Sequence, residues 1–316
     1  MKILFTGASS FTGMWFARQL VRAGHEVTAT FRRAPGDYLD DVRAQRVAAV
    51  LEACKGIFGC TFGGERFVQL VGDEPWDLLC HHAADVTNYR EPGFDVLSAV
   101  ANNSRNLPSV LELLKRSGRG RTRVLITGSV FENDEGAGSQ GLPAFSPYGL
   151  SKGFTYQLFR YHAGLLGLDV GKFVIPNPFG PLEEARFTAY LIRSWLKNES
   201  AVVKTPMYVR DNIHVSLLAR AYVSFAEELG ASTGRLLRAR PSGYTESQGA
   251  FALRVSREMR TRLSLPCEVV LLPQTEFEEP LIRINTDPPN ALALGWDEAT
   301  AWDDMASYYL KSPTTD

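Results

Sequence analysis

The chain lacks any apolar run that reaches the roughly 18 residues of a membrane-spanning helix. Its opening stretch, Met1–Ser10, carries one lysine and a short apolar run, and structure-like residues follow where a leader would need a cleavage site. A soluble, cytoplasmic protein with no membrane partner is expected. Cysteine is scarce. Cys54, Cys60, Cys80 and Cys267 show neither Cys-x-x-Cys spacing nor a paired framework, which points to reduced thiols and away from disulfides and zinc. Neither sign of charge prevails, with 34 basic against 35 acidic residues. Without a concentrated positive field, a general nucleic-acid or acidic-membrane binder is excluded. Internal repeats, heptads and low-complexity tails are also lacking. His81-His82 suggests a metal, but it lies in the strand-like stretch Asp77–Ala84, where neighbouring side chains point to opposite faces. No metal site is expected.

What is present is ordinary globular composition, 45% hydrophobic and 22% charged. The 316 residues suffice for one large domain or two coupled ones, at about 100–200 residues each. Lys2–Thr6 is a short apolar run ending in a turn, Phe11–Val21 has helical spacing closed by Gly24, and Val27–Phe31 reads as the next strand. The alternation continues with a helix over residues 40–54, strands at Ile57-Phe58 and Trp76–His82, and one long helix over Phe94–Arg116. A strand at Arg123–Thr127, a helix over Tyr148–Leu166 and a strand at Asp169–Ile175 follow. Strands separated by helices give right-handed crossovers, so residues 1–175 are expected to form a Rossmann-type α/β domain with a doubly wound parallel sheet. From Pro176 prolines and glycines cluster and the alternation is lost. Residues 176–316 are expected to form a smaller C-terminal substrate-binding lobe, with some segments returning to the first domain. The polar, glycine-rich Glu132–Pro143 is expected either to cover a site or to run as a plain surface connection.

Three patterns carry chemistry. Gly7-Ala-Ser-Ser-Phe-Thr-Gly13 follows the first strand and opens the first helix, where unpaired N–H groups face a pyrophosphate. Gly7, Ser10, Phe11 and Gly13 are therefore cofactor-binding candidates. At the end of the second strand, where an acidic residue would hold a ribose 2′-OH, stand Arg32 and Arg33. Guanidinium groups suit a 2′-phosphate, so NADP(H) is the preferred cofactor; Asp37, further along, leaves NAD(H) possible. Tyr148-Gly-Leu-Ser-Lys152 sets Tyr and Lys on one helical face, with Ser146 as N-cap and Pro147 at the first helical position. A lysine ammonium beside a phenol favours the phenolate, so Tyr148 can exchange a proton with a carbinol or carbonyl oxygen while hydride moves to or from its carbon.

Together these motifs make the chain resemble the extended short-chain dehydrogenase/reductase family of nucleotide-sugar epimerases, dehydratases and reductases. Serine at position 10 departs from the family's middle glycine, and its hydroxyl is expected to add a hydrogen bond to the phosphate. The resemblance implies that Ala83 and Ala84 lie beside the cofactor. Val124–Phe131 resembles the strand that carries the catalytic hydroxyl, which puts Thr127 in that role with Ser129 as second candidate. It implies sugar-nucleotide contacts for Asn177, within Asn-Pro-Phe-Gly-Pro, and for Arg210, within Val-Arg-Asp-Asn-Ile-His-Val. Arg283, ahead of Asp287 and Leu294-Gly-Trp, resembles a second phosphate-contacting arginine, while Asp211 and His214 hold the lobe together. A homodimer through the helices over Phe94–Arg116 and Tyr148–Leu166 is also implied.

One departure narrows the reaction. Family dehydratases follow the catalytic hydroxyl with Asp-Glu, whereas this chain has Gly128-Ser129, so 4,6-dehydration loses its acid/base pair and decarboxylation loses support. The expectation is an NADPH-dependent 4-ketoreductase acting on a nucleotide-diphosphate sugar, with Thr127, Tyr148 and Lys152 as its catalytic set. A 4-epimerase that keeps NAD bound is the alternative. A catalytically silent Rossmann protein that senses NADP(H) is the alternative of another class.

Overall fold

Strands that are apolar on both faces need cover on both, which a parallel sheet with helices on either side provides. Ile3, Leu4 and Phe5 are all fully buried, as are Leu78, Leu79 and Cys80. The computed structural model describes residues 1–39, 41–89, 91–118, 122–137, 142–232 and 236–311. In chain order the elements begin β1 (Lys2–Thr6), α1 (Phe11–Arg22), β2 (Glu26–Thr30), α2 (Asp41–Leu51), β3 (Lys55–Ile57), α3 (Glu65–Asp73) and β4 (Leu78–His81). They continue with α4 (Val96–Asn103), α5 (Leu107–Ser117), β5 (Arg123–Ser129), α6 (Pro147–Leu166), β6 (Val170–Ile175) and β7 (Asn177–Phe179). Then come α7 (Phe187–Leu196), β8 (Ala201–Val203), β9 (Val209–His214), α8 (Val215–Ala231), β10 (Leu237–Ala239) and β11 (Tyr244–Ser247). The last are α9 (Gln248–Leu263), β12 (Val269–Leu271), β13 (Ile282–Arg283) and α10 (Glu298–Lys311).

The chain divides into two units, one comprising Met1–Glu135, Leu142–Ile175 and Ala219–Arg240, the other Gly136–Gly141, Pro176–Leu218 and Pro241–Asp316. The first holds a seven-stranded sheet in the order β10-β6-β5-β4-β1-β2-β3, every neighbour parallel. The order reverses between β1 and β4, and the crevice above that reversal is where doubly wound sheets bind their ligands. One sheet face, with Leu4, Leu79, Val124 and Ile126, packs on Trp76, Leu111, Tyr156 and Phe159. On the other face Phe16 stacks on Tyr222 at 4.1 Å and meets Phe173 edge-on.

In the second unit β9 is flanked by antiparallel β11 and by parallel β13 and β7. Its core gathers Phe179, Trp195, Phe251, Met259, Trp302 and Tyr309. Asp211, fully buried, accepts hydrogen bonds from the backbone N–H groups of Gly243 (2.7 Å) and Asn285 (3.0 Å), tying β9 to two distant segments.

One sequence expectation is corrected. The single helix expected over Phe94–Arg116 is two, α4 and α5. The break falls at Asn106, which adopts φ +50° and donates its side-chain amide to the Gly63 carbonyl (2.7 Å); asparagine tolerates that left-handed conformation. Within Glu132–Pro143, Glu132 and Glu135 are buried while Asn133 and Asp134 are exposed; its residues 138–141, like residue 40 of the second expected helix, lie outside the described residues. Among the described residues no helix is long and apolar enough to cross a membrane. All four cysteines are free and buried.

Candidate active site at the sheet reversal

Gly7 leaves β1 with φ +82°, and a Cβ there would stand 2.7 Å from the Ala83 nitrogen, so only glycine lets the turn after β1 meet the end of β4. Gly13 is equally confined, since a Cβ would collide with the Gly7 carbonyl. Ser10 is the N-cap of α1: its Oγ accepts from Gly13 N (3.1 Å) and donates to the Gly7 carbonyl (2.9 Å). Serine at the middle position thus braces the turn from within. Phe11 is buried beneath it, with the guanidinium of the buried Arg46 over its ring at 5.8 Å. Ala83 N donates to Thr6 Oγ1 (3.1 Å), locking the end of β4 to β1.

Arg32 and Arg33 are exposed just past the end of β2. Although burial opposes it, hydrogen bonds from Thr87 and Asn102 and the positive charge of Arg32 hold the Asp85 carboxyl below its usual range. The field of Arg32 therefore reaches the loop after Ala84. Asp37 accepts from Ala34 N (3.1 Å), closing its own short turn.

Ser146 caps α6 by accepting from Gly149 N (3.2 Å), with Pro147 as the first helical residue. A Cβ at Gly149 would strike the Phe131 carbonyl, so glycine beside Tyr148 allows the helix start to lie against the segment that follows β5. Tyr148 is half-buried, its ring against those of Tyr89 and Phe94. Lys152, one turn on, is 5% exposed and makes no hydrogen bond to any described residue. Burial pushes its ammonium down to about 8; the negative charge of Glu132 resists the shift and Lys172 adds to it.

The two hydroxyl candidates are placed differently. Thr127, 2% exposed, lies on the α1 face of the sheet, where its Oγ1 is 3.0 Å from His82 Nδ1. His82 Nε2 is 3.1 Å from both Ser10 Oγ and Thr12 Oγ1. Ser129 is the last residue of β5 and half-buried; its Oγ accepts from Phe131 N (3.2 Å). His81 faces the opposite side of the sheet from His82, against Phe62 and Phe159. Burial holds both imidazoles neutral, pushed down to about 3.

In the second unit the register of β9 aligns Arg210 with Arg283 and Asn212 with Asn177. Arg210 donates to the carbonyls of Val209, Pro280 and Leu281 and pairs with Glu279 at 2.6 Å, its face over the Tyr208 ring. Arg283 is 2% exposed; burial and the like charge of Arg210 press its proton affinity below the usual arginine value.

Sequence reasoning missed the buried charges around Lys172, which donates to Glu132 (2.6 Å) and Glu135 (2.7 Å). A lone lysine inside the otherwise apolar strand Val170–Ile175 was the available signal. It also missed Arg46, which gave none.

The residues fit a dinucleotide: a glycine turn at a helix N-terminus, exposed arginines past β2, and a buried lysine whose ammonium lacks a hydrogen-bond partner among the described residues. A reversed parallel sheet with this turn and a Tyr-x-x-x-Lys helix defines the extended short-chain dehydrogenase/reductase class of enzymes. The profile of the NAD dependent epimerase/dehydratase family matches residues 3–235, and the chain belongs to that family. No curated protein matches its sequence. Solved structures similar to it include a UDP-glucose 4-epimerase from Thermotoga maritima with UDP-glucose, at 18% identity over 98% of this chain and 99% of that one, TM-score 0.71. A UDP-glucuronic acid 4-epimerase from Bacillus cereus with UDP-glucuronic acid and NAD matches at 18% identity, the same coverage and TM-score 0.71. A UDP-glucose 4-epimerase from Stenotrophomonas maltophila with NAD and formylated UDP-arabinopyranose matches at 18%, over 98% and 97%, TM-score 0.70. These likenesses define a shared fold.

Proposed function

We propose that the protein reduces the ketone of a nucleotide-diphosphate sugar, as an NADPH-dependent 4-ketoreductase. The observation that carries this is Lys152: an ammonium buried one turn after Tyr148 and left without a hydrogen-bond partner among the described residues. Gly7, Ser10, Phe11 and Gly13 would hold the pyrophosphate, Ala83 and Ala84 flank the dinucleotide, and Arg32 and Arg33 take the 2′-phosphate. NADPH, when bound, supplies the hydride. Tyr148 gives its phenolic proton to the substrate oxygen, and Lys152 stabilises the phenolate left behind. Thr127 keeps a supporting part through His82 and the turn; Ser129, at the open end of β5, is the hydroxyl we assign to positioning the substrate oxygen. Asn177, Arg210 and Arg283 are assigned to the sugar nucleotide, whose diphosphate would exchange with Glu279 for the Arg210 guanidinium. A second copy of the chain is the proposed partner, at Leu97 of α4 and Phe154, Tyr161 and Leu165 of α6, all exposed. Free cysteines support a cytoplasmic setting.

A 4-epimerase is the second reading, favoured by neighbours that are 4-epimerases with NAD. Purified protein separates the two. The ketoreductase oxidises added NADPH with a UDP-4-keto-6-deoxyglucose probe; the epimerase retains NAD through purification and interconverts UDP-glucose and UDP-galactose with none added.

A further inference from the structure

Glu132 is fully buried, yet it does not lie in the oily part of the fold. Its Oε1 accepts from Ser129 N at 2.7 Å and its Oε2 from Lys172 Nζ at 2.6 Å. Gly128 makes the room. A Cβ at Gly128 would stand 2.9 Å from Glu132 Oε1 and 2.7 Å from Lys172 Cε, while one at Gly153 would crowd Asn133 Oδ1 at 2.9 Å and lie in ordinary contact, 4.0 Å, with Glu132 Oε2. Gly153 directly follows Lys152 on α6, so the carboxylate rests against the helix at the level of that lysine. Beyond Lys172 lies Glu135, which also pairs with Arg238 (3.5 Å) and Arg240 (2.8 Å) of the β10 segment. A 260 Å³ cavity lined by Glu132, Glu135, Gly153, Tyr156, Lys172 and Arg238 adjoins the cluster.

Burying such charges costs several kcal/mol per ion, and apolar replacements of buried pairs are often neutral or stabilising, so stability alone is a poor reason for this arrangement. Its position gives a better one. Among the described residues, the charged and titratable groups that interact with Lys152 are His81 and His82 from β4, Glu132 from the connection after β5 and Lys172 from β6, and Tyr148 stands one turn before it on the same helix. Both histidines are neutral. Glu132 is then the anion opposed to Lys172 in setting whether Lys152 keeps its proton.

We propose that Glu132, seated between Gly128 and Gly153 and held by Lys172, is a positioning residue that keeps Lys152 charged and so fixes the pH range in which Tyr148 exchanges its proton. The inference rests on the Tyr148–Lys152 reading but is tested without turnover. Full-length protein is acetylated with acetic anhydride between pH 6 and 10, and modification of Lys152 is followed by mass spectrometry. In Glu132→Gln the midpoint for Lys152 moves down by a pH unit or more, because Lys172 is left unopposed. In Lys172→Gln it moves up, because the like charge is gone and Glu132 is released toward Lys152. Glu132→Asp restores part of the shift. A purely structural role would move both Gln variants in the same direction, and that result, or an unchanged midpoint in Glu132→Gln, overturns the proposal. If Glu132→Gln does not fold, Lys172→Gln decides alone: a midpoint that fails to rise overturns it. Retained activity in Tyr148→Phe would remove the catalytic reading while leaving this titration to stand or fall separately.

Discussion

Removing one oxygen atom tests the centre of the site. Tyr148→Phe keeps the ring that packs on Tyr89 and Phe94, so fold and cofactor affinity should persist while turnover falls by about 10²–10⁴-fold, the usual worth of general acid catalysis. Steady-state assay with the true substrate measures it, and a near-normal rate would take α6 out of the chemistry. At the end of β2, Arg32→Ala together with Arg33→Ala should cost NADPH at least about tenfold in affinity and leave NADH nearly untouched, since only the former carries a 2′-phosphate. Fluorescence titration of both cofactors decides; equal affinities in the unaltered protein would favour the epimerase. Residue types were legible in the sequence at this scale, but side-chain directions were not. Thr127 and Ser129 are both hydroxyls near the end of one strand, and nothing in their order says that the first is consumed by His82. Arg210 likewise stood in a recognisable motif, while its bonds to the Pro280 and Leu281 carbonyls and to Glu279 depend on a loop some seventy residues away.

The turn between β1 and α1 is the element on which the cofactor reading depends. Gly7→Ala forces an L-residue to φ +82° with its Cβ 2.7 Å from the Ala83 backbone nitrogen. Left-handed strain alone costs about 1–3 kcal/mol, so the melting temperature should drop measurably and cofactor binding should weaken by more than tenfold. Calorimetry of the free protein and with NADPH reads both; an unchanged melting temperature and affinity would mean the turn is not the cradle. The alternation of strands and helices was visible because buried parallel strands are continuous apolar runs and their helices show a 3.6-residue period. The break between α4 and α5 was not, because it depends on Asn106 reaching the Gly63 carbonyl across the fold. Pro108, in the first turn of α5, was the local sign that a new helix starts there. Glu132 and Glu135 read as loop residues because acidic side chains beside glycines usually are; Lys172, and for Glu135 also Arg238 and Arg240, lie far along the chain and explain their burial.

For the whole molecule, buried titratable groups set the pH range of stability. Burial holds His81, His82 and His214 neutral, each pushed down to about 3, whereas unfolded imidazoles titrate near ~6.5. Between those values the unfolded chain binds more protons, so the stability they confer is present above about pH 6.5 and is lost as pH falls below it. Glu183 behaves oppositely. Burial pushes its carboxyl up to about 8, and Tyr309 donates to it at 3.1 Å. Its contribution is full below the ordinary carboxyl range and is lost as pH rises through about 8. Urea midpoints should therefore fall from pH 7 to pH 5, and Glu183→Gln should raise the midpoint at pH 9 while changing little at pH 5. A flat profile between pH 7 and 5 would contradict the neutral imidazoles.

The sheet order has a bearing on how the chain is made. β10 completes the seven strands beside β6, yet it lies beyond β7, β8 and β9 in sequence. A ribosome releases β1 through β6 first, and at roughly 5–20 residues per second several seconds pass before Leu237–Ala239 emerges to cover the open side of β6. During that interval the nascent chain presents an unpaired strand edge, the form of surface that recruits holding chaperones or, without them, another copy of itself. A gene fragment cut at Ile175 makes that interval permanent.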